Sequence, residues 1–154
     1  QDAGGGQGGG WHADRPYPIQ GDGTPYGSSC GNHTGCIFFG SDATADMRRL
    51  LAGRNIQSVK LRLERQSAGG EAVGGAISLY THNSDSRPSG APSLGLAAED
   101  VAALGWGQAQ WMALPIAFGT ALANGDARGV ALYRKSGSPY QLYEPTATLE
   151  VICS

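Results

Sequence analysis

The stretch "SVKLRLERQS", residues 58–67, decides the fold class. Val59, Leu61 and Leu63 alternate with Lys60, Arg62 and Glu64. A period of two puts the apolar side chains on one face of an extended chain and the charged ones on the other. Such a strand buries one face and wets the other, which is the habit of antiparallel sheets.

The same rhythm recurs on both sides. "AISLYTHN", residues 76–83, places Ile77 and Leu79 opposite Tyr80 and His82. "GQAQWMALP", residues 107–115, sets Trp111 and Ala113 against Met112 and Leu114. Trp106 and Trp111 are expected to be core or sheet-packing residues rather than ligand platforms. "RGVALYR", residues 128–134, points Val130 and Leu132 inward and Ala131 and Tyr133 outward, and "TLEVICS", residues 148–154, groups Leu149, Val151 and Cys153. An apolar "CIFF", residues 36–39, starts the first regular strand.

Helical signals are few and short. Ser41 or Asp42 is placed to cap a helix through "ATADMRRLLAG", residues 43–53, which Gly53 stops. "IAFGTALA", residues 116–123, ends at Asn124-Gly125, and "LGLAAEDVAAL", residues 94–104, reads as a short helix or turn. Period-two strands joined by long loops do not follow the βαβα order of a parallel fold. The expectation is an all-β protein, an antiparallel β-sandwich of jelly-roll type with two or three short helices.

Composition bounds the rest. The 154 residues suit one domain, and 25 glycines and 8 prolines against 16% charged residues describe many turns. The 11 basic residues are scattered and the net charge is −2, so nucleic acid is not an expected partner. No run reaches the ~18 apolar residues of a membrane span, so no membrane insertion is expected either. Residues 1–10, "QDAGGGQGGG", have little to bury and read as a Gly-rich arm or linker. Residues 11–35 read as an extended Pro/Gly/aromatic segment anchored by Trp11, Tyr17, Ile19 and Tyr26, ahead of the sandwich domain at 36–154.

Chemistry-bearing residues are sparse. Cys30 and Cys36 bracket "CGNHTGC", where glycines allow a tight loop and a disulfide, or two free thiols. A metal site on Cys30, His33 and Cys36 would need a fourth ligand, and the usual paired C-x₂-C spacings are missing. "GDGT" at 21–24 and "SDS" at 84–86 carry oxygen ligands that turn chemistry already explains. No metal and no cofactor are expected. The histidines at 12, 33 and 82 are far apart in sequence, and no serine lies in a G-x-S-x-G elbow. The chain is therefore read as non-enzymatic. Loop aromatics are the more informative group, because tyrosine joins an apolar face to a polar edge and suits sugar rings. Tyr133, Tyr140 and Tyr143, with Glu144 as a hydroxyl acceptor, form the candidate ligand-binding set. The alternative is that these tyrosines cover the end of the sandwich or pack on a neighbouring subunit.

From Trp106 onward the order of elements carries a resemblance. A strand ending in "LP" leads to a short helix, then "NGDARGVALYRKSG", a tyrosine-bearing loop and a closing "ATLEVI". This resembles the C-terminal domains of minor tail and tail-fibre proteins of bacteriophages, especially those infecting actinobacteria. There a strand G-(I/V)-x-L precedes a Gly/Tyr loop and a last strand like P-x-L-x-I. The matching residues are Gly129, Val130 and Leu132, then Tyr140 and Tyr143, then Leu149 and Val151. The likeness spans roughly residues 36–154 and implies a tail or tail-fibre structural domain in the virion tail. It further implies contact with a host cell-surface glycan and with other virion subunits, and a homo-oligomer. Two alternatives share this architecture: a secreted carbohydrate-binding module, and a subunit of an extracellular filament assembled through the N-terminal arm.

Overall fold

The structure, a computed structural model, describes residues 17–24, 27–39, 46–86, 88–133 and 139–154. The arm at 1–10, Trp11, Tyr26, the Ser41/Asp42 cap and the loop at 134–138 lie outside the described residues. Among the described residues nine strands and two short helices follow in order: β1 (Ile19–Thr24), β2 (Gly27–Phe38), α1 (Met47–Leu51), β3 (Ile56–Glu64), β4 (Ala76–His82), β5 (Leu94–Ala103), β6 (Ala109–Leu114), α2 (Ile116–Asn124), β7 (Gly129–Leu132), β8 (Gln141–Leu142) and β9 (Thr148–Cys153).

Two antiparallel sheets build the molecule, one of six strands in the order β5-β4-β7-β2-β1-β8 and one of three in the order β6-β3-β9. Their apolar faces meet in one core. Val59, Leu61 and Leu63 of β3 and Met112 and Leu114 of β6 contribute from one sheet; Ile37, Ile77, Leu79, Val130 and Leu132 contribute from the other. The chain is thus an all-β sandwich, as the period-two stretches lead one to expect.

The helices close one end. Asp46 caps α1, its carboxylate accepting from the Arg48 amide at 3.0 Å, one turn later in sequence than the expected cap. α2 ends as expected, with Gly125 in the left-handed region at φ 82°. Its backbone lies very close to β3: a Cβ on Gly119 would stand 2.7 Å from Val59 Cγ2 and 2.8 Å from Ile56 Cγ2.

Three expectations are corrected. Residues 94–104 form strand β5, not a helix or turn. β5 bulges twice against β4, between the pairs Ile77–Ala102 and Leu79–Ala98 and again between Tyr80–Ala97 and His82–Leu94. Hydroxyls of β4 hold the displaced amides: Ser78 Oγ accepts from Asp100 N at 3.2 Å and Thr81 Oγ1 from Leu96 N at 2.9 Å. Asp100 takes φ 53° to make the turn. This edge strand is therefore twisted out of a flat template, as edge strands often are.

The segment before residue 36 is not a separate extended stretch. β1 and the first half of β2 pair with one another inside the six-stranded sheet, and Ile19 is fully buried with Tyr140 and Leu142. The expected loop between Cys30 and Cys36 is likewise continuous strand. Six residues of strand span about 20 Å, too far for a disulfide. Cys36 is a buried free thiol, and burial pushes its pKa up to about 12.

Candidate functional site: the outer face of the three-stranded sheet

The register of β3 with its two neighbours fixes what the outer face presents. Lys60 pairs with Ala113 on one side and Glu150 on the other; Arg62 pairs with Trp111 and Thr148; Glu64 pairs with Ala109. Opposed residues in an antiparallel pair point to the same face. These rows therefore lie outward, one pleat of about 7 Å apart.

Between the rows lies a shallow depression of about 330 Å³ lined by Lys60, Trp111, Ala113 and Glu150. Its origin is steric. Ala113 contributes only a methyl group to the floor, whereas Trp111, two residues back on the same strand, and Lys60 on the neighbouring strand rise on either side. Lys60 Nζ lies 3.3 Å from Glu150 Oε1, so a donor and an acceptor stand together at the polar end. One strand step away Arg62 Nη2 reaches Glu64 Oε2, also at 3.3 Å. Trp111 remains 44% exposed beside these groups. An exposed indole next to paired hydrogen-bonding groups offers a flat apolar platform with a polar margin.

Of the two expected roles for Trp111, core or sheet packing, the core one is corrected: the indole lies on the outer face of its sheet. The alternation along β6 is as read, with Met112 and Leu114 on the opposite face from Trp111 and Ala113, but the small inward space goes to Met112 and Leu114. Trp106 is also exposed, at 45%, with its indole N–H donating to the Gly69 carbonyl at 3.2 Å.

The tyrosines move the other way. Tyr140 and Tyr143 are buried, at 3% and 0% exposure, so neither ring face is offered to a ligand. Tyr140 lies edge-on to His33 with ring centres 5.1 Å apart. Tyr143 forms an isolated antiparallel bridge with Arg65, and its hydroxyl donates to Gln141 Oε1 at 3.1 Å. Burial raises the Tyr143 pKa well above the usual phenol range. Glu144 is half-buried, and its amide donates to the Glu64 carbonyl at 2.8 Å. Tyr133 keeps its outward position, edge-on to Tyr80 at 5.9 Å. Tyr80 in turn donates to Glu99 Oε1 at 2.5 Å, which pushes the Tyr80 pKa up to about 12. The four expected residues thus do not form one binding surface. Tyr133 belongs to the outer face of the six-stranded sheet, and Tyr140 and Tyr143 to the interior.

His82 is tied into the fold. It is buried; its Nε2 bonds the Ile37 carbonyl at 3.0 Å and its Nδ1 accepts from the Ser84 amide at 3.3 Å. A carbonyl can only accept and an amide can only donate, so the ring is the neutral tautomer with its proton on Nε2. Burial lowers its pKa below the ordinary histidine value. No group of three or more histidine, cysteine, aspartate or glutamate residues suited to a metal occurs among the described residues.

No family model, curated protein or solved structure matches this chain.

Proposed function

We propose that this chain is a non-enzymatic domain of a phage tail or tail fibre, a jelly-roll-style sandwich that attaches to a host-surface glycan through the outer face of β6-β3-β9. The observation that carries the attachment is Trp111. It stands half-exposed above a depression floored by Ala113 and bounded by the Lys60–Glu150 ion pair. An indole in that position stacks against the C–H face of a sugar ring, while the lysine donates to a hydroxyl and the glutamate accepts from one.

The placement in a tail draws on the likeness of Gly129, Val130 and Leu132 and of Leu149 and Val151 to the last strands of tail and tail-fibre domains. A single shallow site binds weakly. Several copies on one particle raise the effective concentration and convert weak contacts into firm attachment. The non-catalytic reading draws on His82 and Cys36, whose reactive atoms are taken up by backbone bonds and by burial.

Immunogold labelling of purified particles with an antibody raised against the chain tests the placement. Gold confined to tail tips or fibres is the expected result. Abundant chain in culture medium with no labelled particles would contradict it and favour a secreted carbohydrate-binding module.

A further inference from the structure

We infer that the Trp111 depression is selective for neutral glycans, with a pyranose carrying two adjacent free hydroxyls as the recognised unit. This rests on the outer face being the attachment surface and adds the class of sugar it accepts.

Charge balance is the first argument. Each base flanking the depression already has an acid within ion-pair distance, Lys60 with Glu150 and Arg62 with Glu64, both at 3.3 Å. Ser58, Thr148, Ile152 and Ala109 add to the same face without charge. An anionic sugar would have to displace a carboxylate from its base and leave that carboxylate beside the new negative group. Like charges set close together oppose binding. A cationic sugar meets the mirror-image penalty at Lys60 and Arg62. A neutral sugar meets neither.

The second argument is the shape of the hydrogen-bonding margin. Lys60 Nζ has protons to give and Glu150 Oε1 has lone pairs to offer, and the two atoms sit 3.3 Å apart. Neighbouring hydroxyls on a sugar ring can answer both at once, one accepting from the ammonium and the other donating to the carboxylate, without breaking the pair. Both side chains are about half exposed, at 45% and 44%, so they reach a ligand without a rearrangement of the sheet. The third argument is size. About 330 Å³ is at the small end of ligand sites. It admits one ring seated on the Ala113 methyl against the Trp111 indole, not a folded peptide segment.

The test uses the full chain with two probe sets: neutral oligosaccharides (maltotriose, mannotriose, xylotriose and galactotriose) and charged ones (trigalacturonate, heparin trisaccharide and chitosan trimer). The Trp111 indole N–H signal, assigned by Trp111→Phe, reports contact at the site in the native chain, calorimetry gives the affinity of native and variant chains alike, and each titration is run at low and high salt. The expected result is a saturable shift with at least one neutral trisaccharide. Its affinity should change less than twofold with salt and fall at least tenfold in Trp111→Ala. Saturable, salt-sensitive binding of a charged probe only, lost in Trp111→Ala, would overturn the neutral class and leave the attachment face standing. No shift with either set would overturn both. Glu150→Gln separates the hydroxyl acceptor from the ion pair: neutral-sugar affinity should fall while anionic probes gain. Unchanged selectivity in that variant would also count against the inference.

Discussion

Arg65 and Tyr143 face each other in an antiparallel bridge with both side chains shut off from water. The Arg65 guanidinium donates to the carbonyls of Leu104, at 2.8 Å, Val73, at 3.4 Å, and Glu71. It therefore ties the 67–75 turn and the end of β5 to the strand that Tyr143 crosses. Burial lowers the Arg65 pKa.

Replacing Arg65 with Met strips three carbonyls of a donor and is expected to cost about 2–4 kcal/mol. Tyr143→Phe removes only the bond to Gln141 and should cost about 1 kcal/mol. Tyr143→Ala opens a cavity and should cost about 3–5 kcal/mol. Urea unfolding of the three variants checks the order. A Tyr143→Ala variant as stable as the native chain would return that residue to the surface.

Gly119 sets how closely α2 rests on β3. A methyl group there meets Val59 and Ile56 within 3 Å, so Gly119→Ala is expected to destabilise by about 1–3 kcal/mol although alanine favours helix. The paired change Gly119→Ala with Val59→Ala should recover part of that loss, read as a thermal midpoint above that of the worse single variant.

His82 makes stability depend on pH. It is held neutral by burial, and the Ser84 amide needs a bare Nδ1, so its folded pKa lies below the unfolded value of about 6.5. Its contribution is fully present above pH 6.5 and is lost as pH falls below that toward the folded pKa, because there the unfolded chain binds the extra proton. The thermal midpoint should drop from pH 7.5 to pH 5, and His82→Gln should flatten that part of the curve. An equal drop in both proteins would assign it elsewhere.

Cys36 offers a reactivity test. With its pKa pushed up to about 12 and the side chain buried, almost no thiolate exists at pH 8. Cys36→Ser should leave the fast phase of modification by a disulfide reagent unchanged and remove one equivalent from the total released in denaturant. Rapid loss of the Cys36 signal in the native chain would contradict its place in β2.

Much of the sandwich was legible in the sequence because local period and tertiary burial agree. β3 alternates cleanly, β9 turns Leu149 and Val151 toward the core, and α2 carries its own Asn-Gly stop; β7 instead is buried along its whole length, Ala131 included. β5 was hidden because "LGLAAEDVAAL" holds alanines and acids with little strand preference; its extended form comes from pairing with β4, where the Ser78 and Thr81 hydroxyls hold the amides that the bulges displace. β1 and the start of β2 were hidden by glycine and proline, whose local preference the sheet overrides. The site was half legible. Parity set Trp111 and Ala113 on one face, but parity cannot say which face is wet, and a tryptophan in a strand reads first as a packing residue. The tyrosine loop misled for the same reason in reverse. No local signal marks Arg65 as the residue that would draw Tyr143 inward.

The most direct test of the proposed attachment surface is the affinity of Trp111→Ala for purified host cell-wall polysaccharide, measured beside its thermal midpoint. Trp111 is exposed, so the variant should keep its stability to within about 0.5 kcal/mol. Its dissociation constant should rise at least tenfold, a loss of about 1.4 kcal/mol. Native affinity in a folded Trp111→Ala variant would contradict the claim that this face holds the glycan.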